Sequence, residues 1–557
     1  MKSRTSFFNA AVLRKDITRF APVWGLYLTG MLLLALTFFT EENYNLAEIL
    51  GVSIGIFSLV NFCYALVCGA VLFGDLFNSR LCNALHAMPM RREGWFVTHL
   101  VSGLLFSVVP NLAVGLCFMP RLGVYWYVAL VWVGGMTATY LFFFGAAVLA
   151  ALCTGSRFAQ TLVYGLINFL SILVMWVVQY LYIPLQYGLE IDYPPFVFLS
   201  PVCYLCSNEL NYVNFLDKIY SYYNPVNGWP YTLGIAAVGI VMLIGALLLY
   251  RKRHLESAGD FITVRFLSPV FLVLYTVAAG MALFLFSSVF AVDRDYLFLA
   301  VGIIAGFITG KMLLKRTVKV FKPATFLGLA VMVAVLFGSL GLAKLDVLGL
   351  VRWMPEQESV RSVTVHSLKD TYNRYAYTAT DEAEIRELMD IHGEFIEGQN
   401  TDAPIWYNSV YLTYTLDNGR TVTRRYRLDY EDPAALRMAP WLSKPEFVLH
   451  TNDVENLINK VNYIEVELYY DKFYNDTAIE PFEIVVGADA RALLEAIVAD
   501  CEAGRMVQDY GYYEGYFDNS PTIGYIRINV GGDGDVAIDI RESAVLTCGW
   551  LKDHLAE

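Results

Sequence analysis

A polytopic all-α membrane bundle of about nine spans, followed by an α+β domain exposed to water, is the fold class this sequence predicts. Three observations predict it. First, 57% of the 557 residues are hydrophobic and only 17% are charged, with a mean hydropathy of +0.48. Soluble proteins are about 45–50% apolar and about 25% charged. Second, the apolar excess is concentrated in residues 1–343, in stretches of about 20 residues, the length a helix needs to cross a bilayer. Third, charge is divided along the chain. Lys344 to Glu557 carries 38 acidic and 19 basic residues, net −19, against −12 for the whole chain, so residues 1–343 are net +7. This balance excludes a wholly soluble, disordered or collagen-like chain. An acidic exposed domain also argues against nucleic acid as a partner.

Nine stretches are long and apolar enough to span: 20–40, 48–73, 95–119, 124–151, 159–183, 231–250, 266–290, 296–313 and 324–343. The first lacks the small-residue cleavage site of a removed signal peptide. Basic residues in the connections set the orientation. With the N-terminus inside, the inner connections carry Lys2, Arg4, Arg14 and Lys15, then Arg80, Arg91 and Arg92, Arg157, the run Arg251 to Arg253 with Arg265, and Lys315, Arg316, Lys319 and Lys322. The outer connections hold Arg121, Lys218 and Arg294. An odd number of crossings then places residues 344–557 outside. The span interiors contain no Asp or Glu, and Glu48, His99 and Lys311 lie near ends. Intramembrane carboxylates are the usual carriers of ion coupling, so an ion-coupled carrier is disfavoured. Gly302, Gly306 and Gly310 recur every four residues, as do Gly51 and Gly55. Such faces let helix backbones approach closely, either at an interface that slides or in packing within one bundle. Gly306 to Lys311 is not a phosphate loop: it has three residues between its glycines, Met312 follows the lysine, and it lies in a span.

Two inner segments carry further pattern. In residues 6–20, Phe8, Val12, Leu13, Ile17 and Phe20 share a broad face, with Arg14, Lys15 and Asp16 mostly off it, which suits a helix at the headgroup layer or a simple extension of the first span. The loop at 74–94 contains Asp75, Leu76, Phe77, Arg80, Asn83 and Leu85, then Pro89, Arg91 and Arg92. Helical spacing over 76–87 puts Leu76, Arg80 and Asn83 on one side and Phe77, Leu81 and Leu85 on another, with Pro89 ending the helix.

This arrangement resembles the permease subunits of bacterial ATP-binding-cassette transporters of the type-2 exporter class. The features that agree are a connecting helix at 1–19, two spans joined by a short inner helix, its small-x-Pro-x-Arg ending, and a long outer loop at 184–230 with Pro194, Pro195 and Pro201 beside Phe196 to Leu199. The resemblance covers about residues 1–250, a six-span core over 20–250. The additional spans at 251–343 and the domain at 344–557 resemble a clostridial and bacillar subgroup with an extracytoplasmic C-terminal domain. It implies that 76–87 contacts a separate ATPase subunit, which binds the ATP and magnesium, while this chain holds no cofactor. It further implies that Asp75 and Arg80 fix that helix, that a second permease copy or homologue completes the path, and that the assembly sits among the lipids of the bacterial plasma membrane. The simpler reading of Asp75 and Arg80 is a surface ion pair.

Residues 344–557 read as two similar β-α-β-β-α units, about 357–445 and 460–557. The first has a strand at 359–366, a helix at 381–397, a hairpin at 409–429 and a helix near 432–443. The second has a strand at 461–470, a helix at 488–503, a hairpin at 522–540 and a helix near 543–555. Asp381 with Glu384 suits a capping box. Asp417-Asn418-Gly419 and Gly531 to Asp535 suit hairpin turns, the latter in preference to calcium, which needs more spaced oxygen ligands. Tyr469, Tyr470, Tyr474, Tyr510, Tyr512, Tyr513 and Tyr516 form an aromatic-rich region, for core packing or for holding a peptide or glycan. Cys501 with Cys548 and Cys203 with Cys206 are candidates for disulfides in an oxidising compartment; no metal motif accompanies them. No nucleophile–base signature suggests an enzyme. The expected function is therefore an exporter permease moving a peptide, lipid or envelope-related substrate, with a membrane-anchored sensor or binding protein as the alternative.

Overall fold

The computed structural model describes residues 8–38, 46–87, 90–118, 126–189, 197–207, 210–212, 226–253, 258–290, 295–368, 374–398, 409–427, 432–449, 451, 453–468, 482–506, 522–529 and 535–555. The chain divides into two compact units: Met1–Val178 with Pro194–Gly338, and Gln179–Tyr193 with Ser339–Glu557.

The first unit is helical: α1 (Ala10–Arg19), α2 (Ala21–Phe38), α3 (Leu46–Leu72), α4 (Ser79–His86), α5 (Arg92–Phe118), α6 (Trp126–Cys153), α7 (Arg157–Val177), α8 (Pro201–Ser207), α9 (Gly228–Lys252), α10 (Leu267–Val289), α11 (Asp295–Lys315) and α12 (Pro323–Lys344, its last turn in the second unit). A two-residue parallel pair, β1 (Leu210–Asn211) and β2 (Val226–Asn227), precedes α9. Among the described residues eight helices are long and apolar enough to cross a membrane, the mark of a multi-pass membrane protein. The first expected span behaves differently. α1 and α2 are bent by 60°, and the pair counts as a ninth crossing only when taken together. Pro22 is the cause: it lacks the N–H that would continue the helix, and its ring crowds the preceding turn.

α6 is the axis of this unit, with Trp132, Met136, Tyr140, Phe143 and Phe144 fully buried. It packs on α3, α5, α7 and α9. Against α9 the approach is backbone to backbone: a Cβ on Gly145 would lie 2.5 Å from Gly239 O, and one on Gly239 would lie 2.6 Å from Leu141 O. The glycine faces read from the sequence have particular partners. Gly51 and Gly55 lie under Leu210 O and Leu205 O of the segment containing α8. Gly302 and Gly306 press on Ala279, and Gly310 meets Leu272 and Tyr275, so the stripe on α11 faces α10.

A network of uncharged polar side chains ties α2, α3, α5 and α6 together. Tyr27 Oη lies 2.8 Å from Asn61 Oδ1 and 3.0 Å from Asn111 Oδ1, while Asn61 Nδ2 donates to Met136 O and Thr139 Oγ1. Pro110 in α5 cannot bond to Phe106 O. The Tyr64 hydroxyl from α3 donates to that carbonyl instead, at 3.0 Å. Such local replacement is what makes proline tolerable in a spanning helix.

The second unit contains β3 (Val360–Leu368), β4 (Arg374–Ala379), α13 (Glu382–Gly398), β5 (Ser409–Leu416), β6 (Thr421–Arg427), α14 (Pro433–Leu442), α15 (Pro445–Val448), α16 (Val454–Lys460), β7 (Tyr463–Leu468), β8 (Phe482–Val486), α17 (Gly487–Glu502), β9 (Thr522–Asn529), β10 (Asp535–Arg541) and α18 (Val545–Leu555). Two four-stranded antiparallel sheets result, ordered β4-β3-β5-β6 and β8-β7-β9-β10. Each half thus has one strand more than expected, β4 and β8. Both are short, and β4 reads RYAYTA, without an alternating aliphatic face. The helices of both halves bury one continuous core, with Leu388, Phe395, Leu412, Leu493, Ile526 and Leu551 fully enclosed. Asp381 caps α13 through Ala383 N and Glu384 N; Glu384 accepts from Tyr377 and Lys444 rather than closing the expected capping box. Gly419, at φ +77°, makes the β5–β6 turn.

Residues 179–193, which the sequence pattern places in the fifth span and outer loop, join this second unit. A π turn at Val178–Tyr182 ends α7. Leu189 then bridges Arg424 as an extra antiparallel segment, Arg425 N donates to Gly188 O at 3.0 Å, and Gln186 Nε2 donates to Ala343 O. Gly188 has φ +73° and faces the Tyr426 ring, where a Cβ would lie 2.5 Å away. Only glycine fits both the backbone and the contact.

Candidate functional site

The α3–α5 connection is built in two pieces. A single 3-10 turn spans Gly74–Phe77, and α4 begins at Ser79. The expected single helix over 76–87 is corrected here: Asn78 is extended, and its Oδ1 caps the new start by accepting from Arg80 N at 3.0 Å. An Asx side chain that bonds the backbone two residues on interrupts one helix and starts another. Leu76 is buried, Asp75 and Phe77 are half-buried, and Arg80, Asn83 and Arg91 are exposed. Leu76 and Arg80 therefore do not share a helix face, and the residue that anchors α4 is the buried Cys82. Asp75 and Arg80 form no ion pair within 4 Å among the described residues. The side chain of Leu85 and the whole of Pro89 lie outside the described residues, as do the seven tyrosines of the aromatic-rich region, Pro194 to Phe196 and the Gly531–Asp535 turn as far as Gly534.

Beside this connection lies an open cleft of about 480 Å³. Arg19 and Phe20 line it from the end of α1. Gly74, Asp75, Phe77, Asn78 and Leu81 come from the connection, and Ser156 and Arg157 from the start of α7. Two guanidinium groups, one carboxylate and two aromatic rings thus face one recess, a lining suited to a protein surface of mixed charge.

α1 is held in place by a polar lock. The sequence pattern puts Asp16 off the apolar face, yet it is buried, with Oδ2 2.8 Å from His99 Nδ1 and accepting from Ser102 Oγ at 2.8 Å. Asn9 caps α1 and takes Thr98 Oγ1 as acceptor for its own N–H. The lock fixes α1 to the first turns of α5, next to the connection.

The end of α6 is held as completely. A helix leaves its last four carbonyls without intrahelical donors. Here Thr154 Oγ1 donates to Ala150 O, Arg253 Nη1 to Ala151 O and Leu152 O, Thr263 Oγ1 to Leu152 O, and Thr263 N to Cys153 O. Arg253 Nη2 also donates to Leu76 O at 3.2 Å, and Arg92 Nη1 donates to Arg253 O at 3.2 Å. Burial lowers the Arg253 pKa from its usual value, without removing its charge. By sequence alone Arg253 and Arg92 are only topogenic charge. A basic residue directly after a span was the available signal, but its acceptors are about a hundred residues away or more.

Cys501 and Cys548, candidates for a disulfide, are free buried thiols, and Cys203 and Cys206 are free as well. Cys548 Sγ donates to Arg541 O at 3.3 Å. Burial pushes the Cys548 thiol up to about 11 and raises that of Cys501 too, which suppresses the reactive thiolate. Among the described residues no group of three or more His, Cys, Asp or Glu is placed to hold a metal ion. Comparison with family models, with curated proteins and with solved structures gives no match.

Proposed function

We propose that the chain is the transmembrane permease subunit of an ATP-driven exporter, working with a separate ATPase subunit and a second permease copy or homologue in a bacterial plasma membrane. The observation that carries this reading is the α3–α5 connection: a short, capped, largely exposed helix between two long apolar helices, beside an open cleft flanked by α1 and the start of α7. A helix so placed can receive a push from a partner and pass it to the spans. The excess of basic residues in the same connections supports an inner position for this end, with the ATPase and its ATP and magnesium docking there and the C-terminal domain outside. The repeated strand order of the two sheets supports an internal duplication of that domain. Its place outside suits a gate or receiver for a peptide, lipid or envelope-related cargo.

The test is co-purification with a subunit bearing a Walker motif. Arg80 is exposed, so Arg80→Glu should leave the fold intact, with stability within about 0.5 kcal/mol, yet abolish the association. A complex unaffected by the charge reversal would count against docking at α4.

A further inference from the structure

Arg253 joins four segments that lie far apart in sequence. It follows α9 directly, its Nη1 caps the last turn of α6 at Ala151 O and Leu152 O, and its Nη2 reaches Leu76 O in the 3-10 turn before α4. Its own carbonyl accepts from Arg92, in the first turn of α5. Beside it, Arg251 pairs with Glu93 at 3.2 Å. A guanidinium is a rigid planar fork with five donors. One nitrogen here serves a helix terminus, where positive charge is favourable, and the other serves the connection. The turn at Gly74–Phe77 is thus tied to the end of α6 through a single side chain.

We propose that Arg253 is a positioning residue that couples displacement of the α3–α5 connection to α6 and α9. This deepens the permease reading and rests on it for its purpose: the push arriving at α4 enters the bundle through Leu76 O and Arg253, and α6, the central helix, moves with it. Lysine makes a revealing replacement. Its ammonium can still cap the α6 terminus as a point charge, but it cannot present a planar fork to both sets of carbonyls.

The test is hydrogen exchange on the full chain in detergent, comparing wild type, Leu76→Ala, Arg253→Lys and the double variant. In the wild-type background, Leu76→Ala should speed exchange at residues 149–155 by about twofold or more, the low end of coupling within a shared hydrogen-bond network. In the Arg253→Lys background that increment should vanish, although 149–155 stay protected and the protein stays folded. An equal increment in both backgrounds, or none in wild type, would overturn the proposal. Arg251→Met, which removes only the neighbouring ion pair, should leave the increment as in wild type; its loss there too would also count against a special role for Arg253. No ATPase enters these measurements, so a failed co-purification would sink the permease reading and leave the coupling to be judged by itself.

Discussion

His392 is fully buried between two tyrosines, with Nδ1 2.7 Å from Tyr414 Oη and Nε2 2.7 Å from Tyr426 Oη. A neutral imidazole has one donor and one acceptor, so one hydroxyl donates to the ring and the other accepts from it. Burial, with Arg424 nearby adding repulsion, lowers the His392 pKa to about 3. An unfolded histidine takes up its proton near 6.5. The unfolded state thus binds more protons between these values. The stability is complete above about 6.5 and is lost as the pH falls towards about 3, by up to about 1.4 kcal/mol per pH unit. Exchange at the amides of α13, corrected for intrinsic rates, should therefore be faster at pH 5 than at pH 7. His392→Gln keeps an amide donor and acceptor without a titrating group, and should flatten the dependence; an undiminished slope in that variant would contradict the assignment. Residue roles of this kind are hidden in the sequence. The helical spacing of His392 with Ile385, Leu388 and Met389 marks a core face, but its partners lie 22 and 34 residues on. Asp16 reads as a polar-face residue for the same reason: its partner His99 is 83 positions away.

Helices are legible where apolar length or spacing decides the structure, and their breaks are legible less often. The bend at Pro22 and the interruption at Asn78 are decided by single residues acting on the backbone, which a smooth hydropathy pattern does not register. Pro110 is the instructive case, because α5 runs through it. The helix tolerates the missing bond since Tyr64 supplies a donor for Phe106 O. Tyr64→Phe should therefore cost about 1 kcal/mol, within the range for hydrogen bonds between spanning helices. In a Pro110→Ala background the same change should cost little, because the restored amide at position 110 reclaims the carbonyl. Unfolding equilibria of the four proteins in mixed micelles measure this cycle, and a cost independent of residue 110 would show that the tyrosine acts by packing alone. Strands are the weaker element. β3, β5, β7, β9 and β10 alternate or carry turn signals, whereas β4 and β8 are defined by pairing with β3 and β7.

At the scale of the molecule, charge and hydropathy together predict sidedness. With the nine native cysteines replaced by alanine, an impermeant maleimide applied to intact cells should label Glu358→Cys and leave Arg80→Cys unlabelled, both positions being exposed. Labelling of Arg80→Cys alone would invert the topology and with it the proposed docking side. The division into an apolar, basic first part and an acidic, mixed second part can be read from composition, because the cost of placing charge in lipid acts on every residue of a span regardless of its neighbours. The spans, the two repeated patterns and the short helix around Arg80 follow from such local preferences. The tertiary pairings do not. Asp16 on His99, Arg253 on Ala151, Leu152 and Leu76, and residues 186–189 alongside β6 are pairings between distant segments. Each is stable only once the helices or the sheet have brought an unsatisfied donor to an unsatisfied acceptor, and that meeting is a property of the folded chain, set by which backbones approach and which carbonyls they leave open.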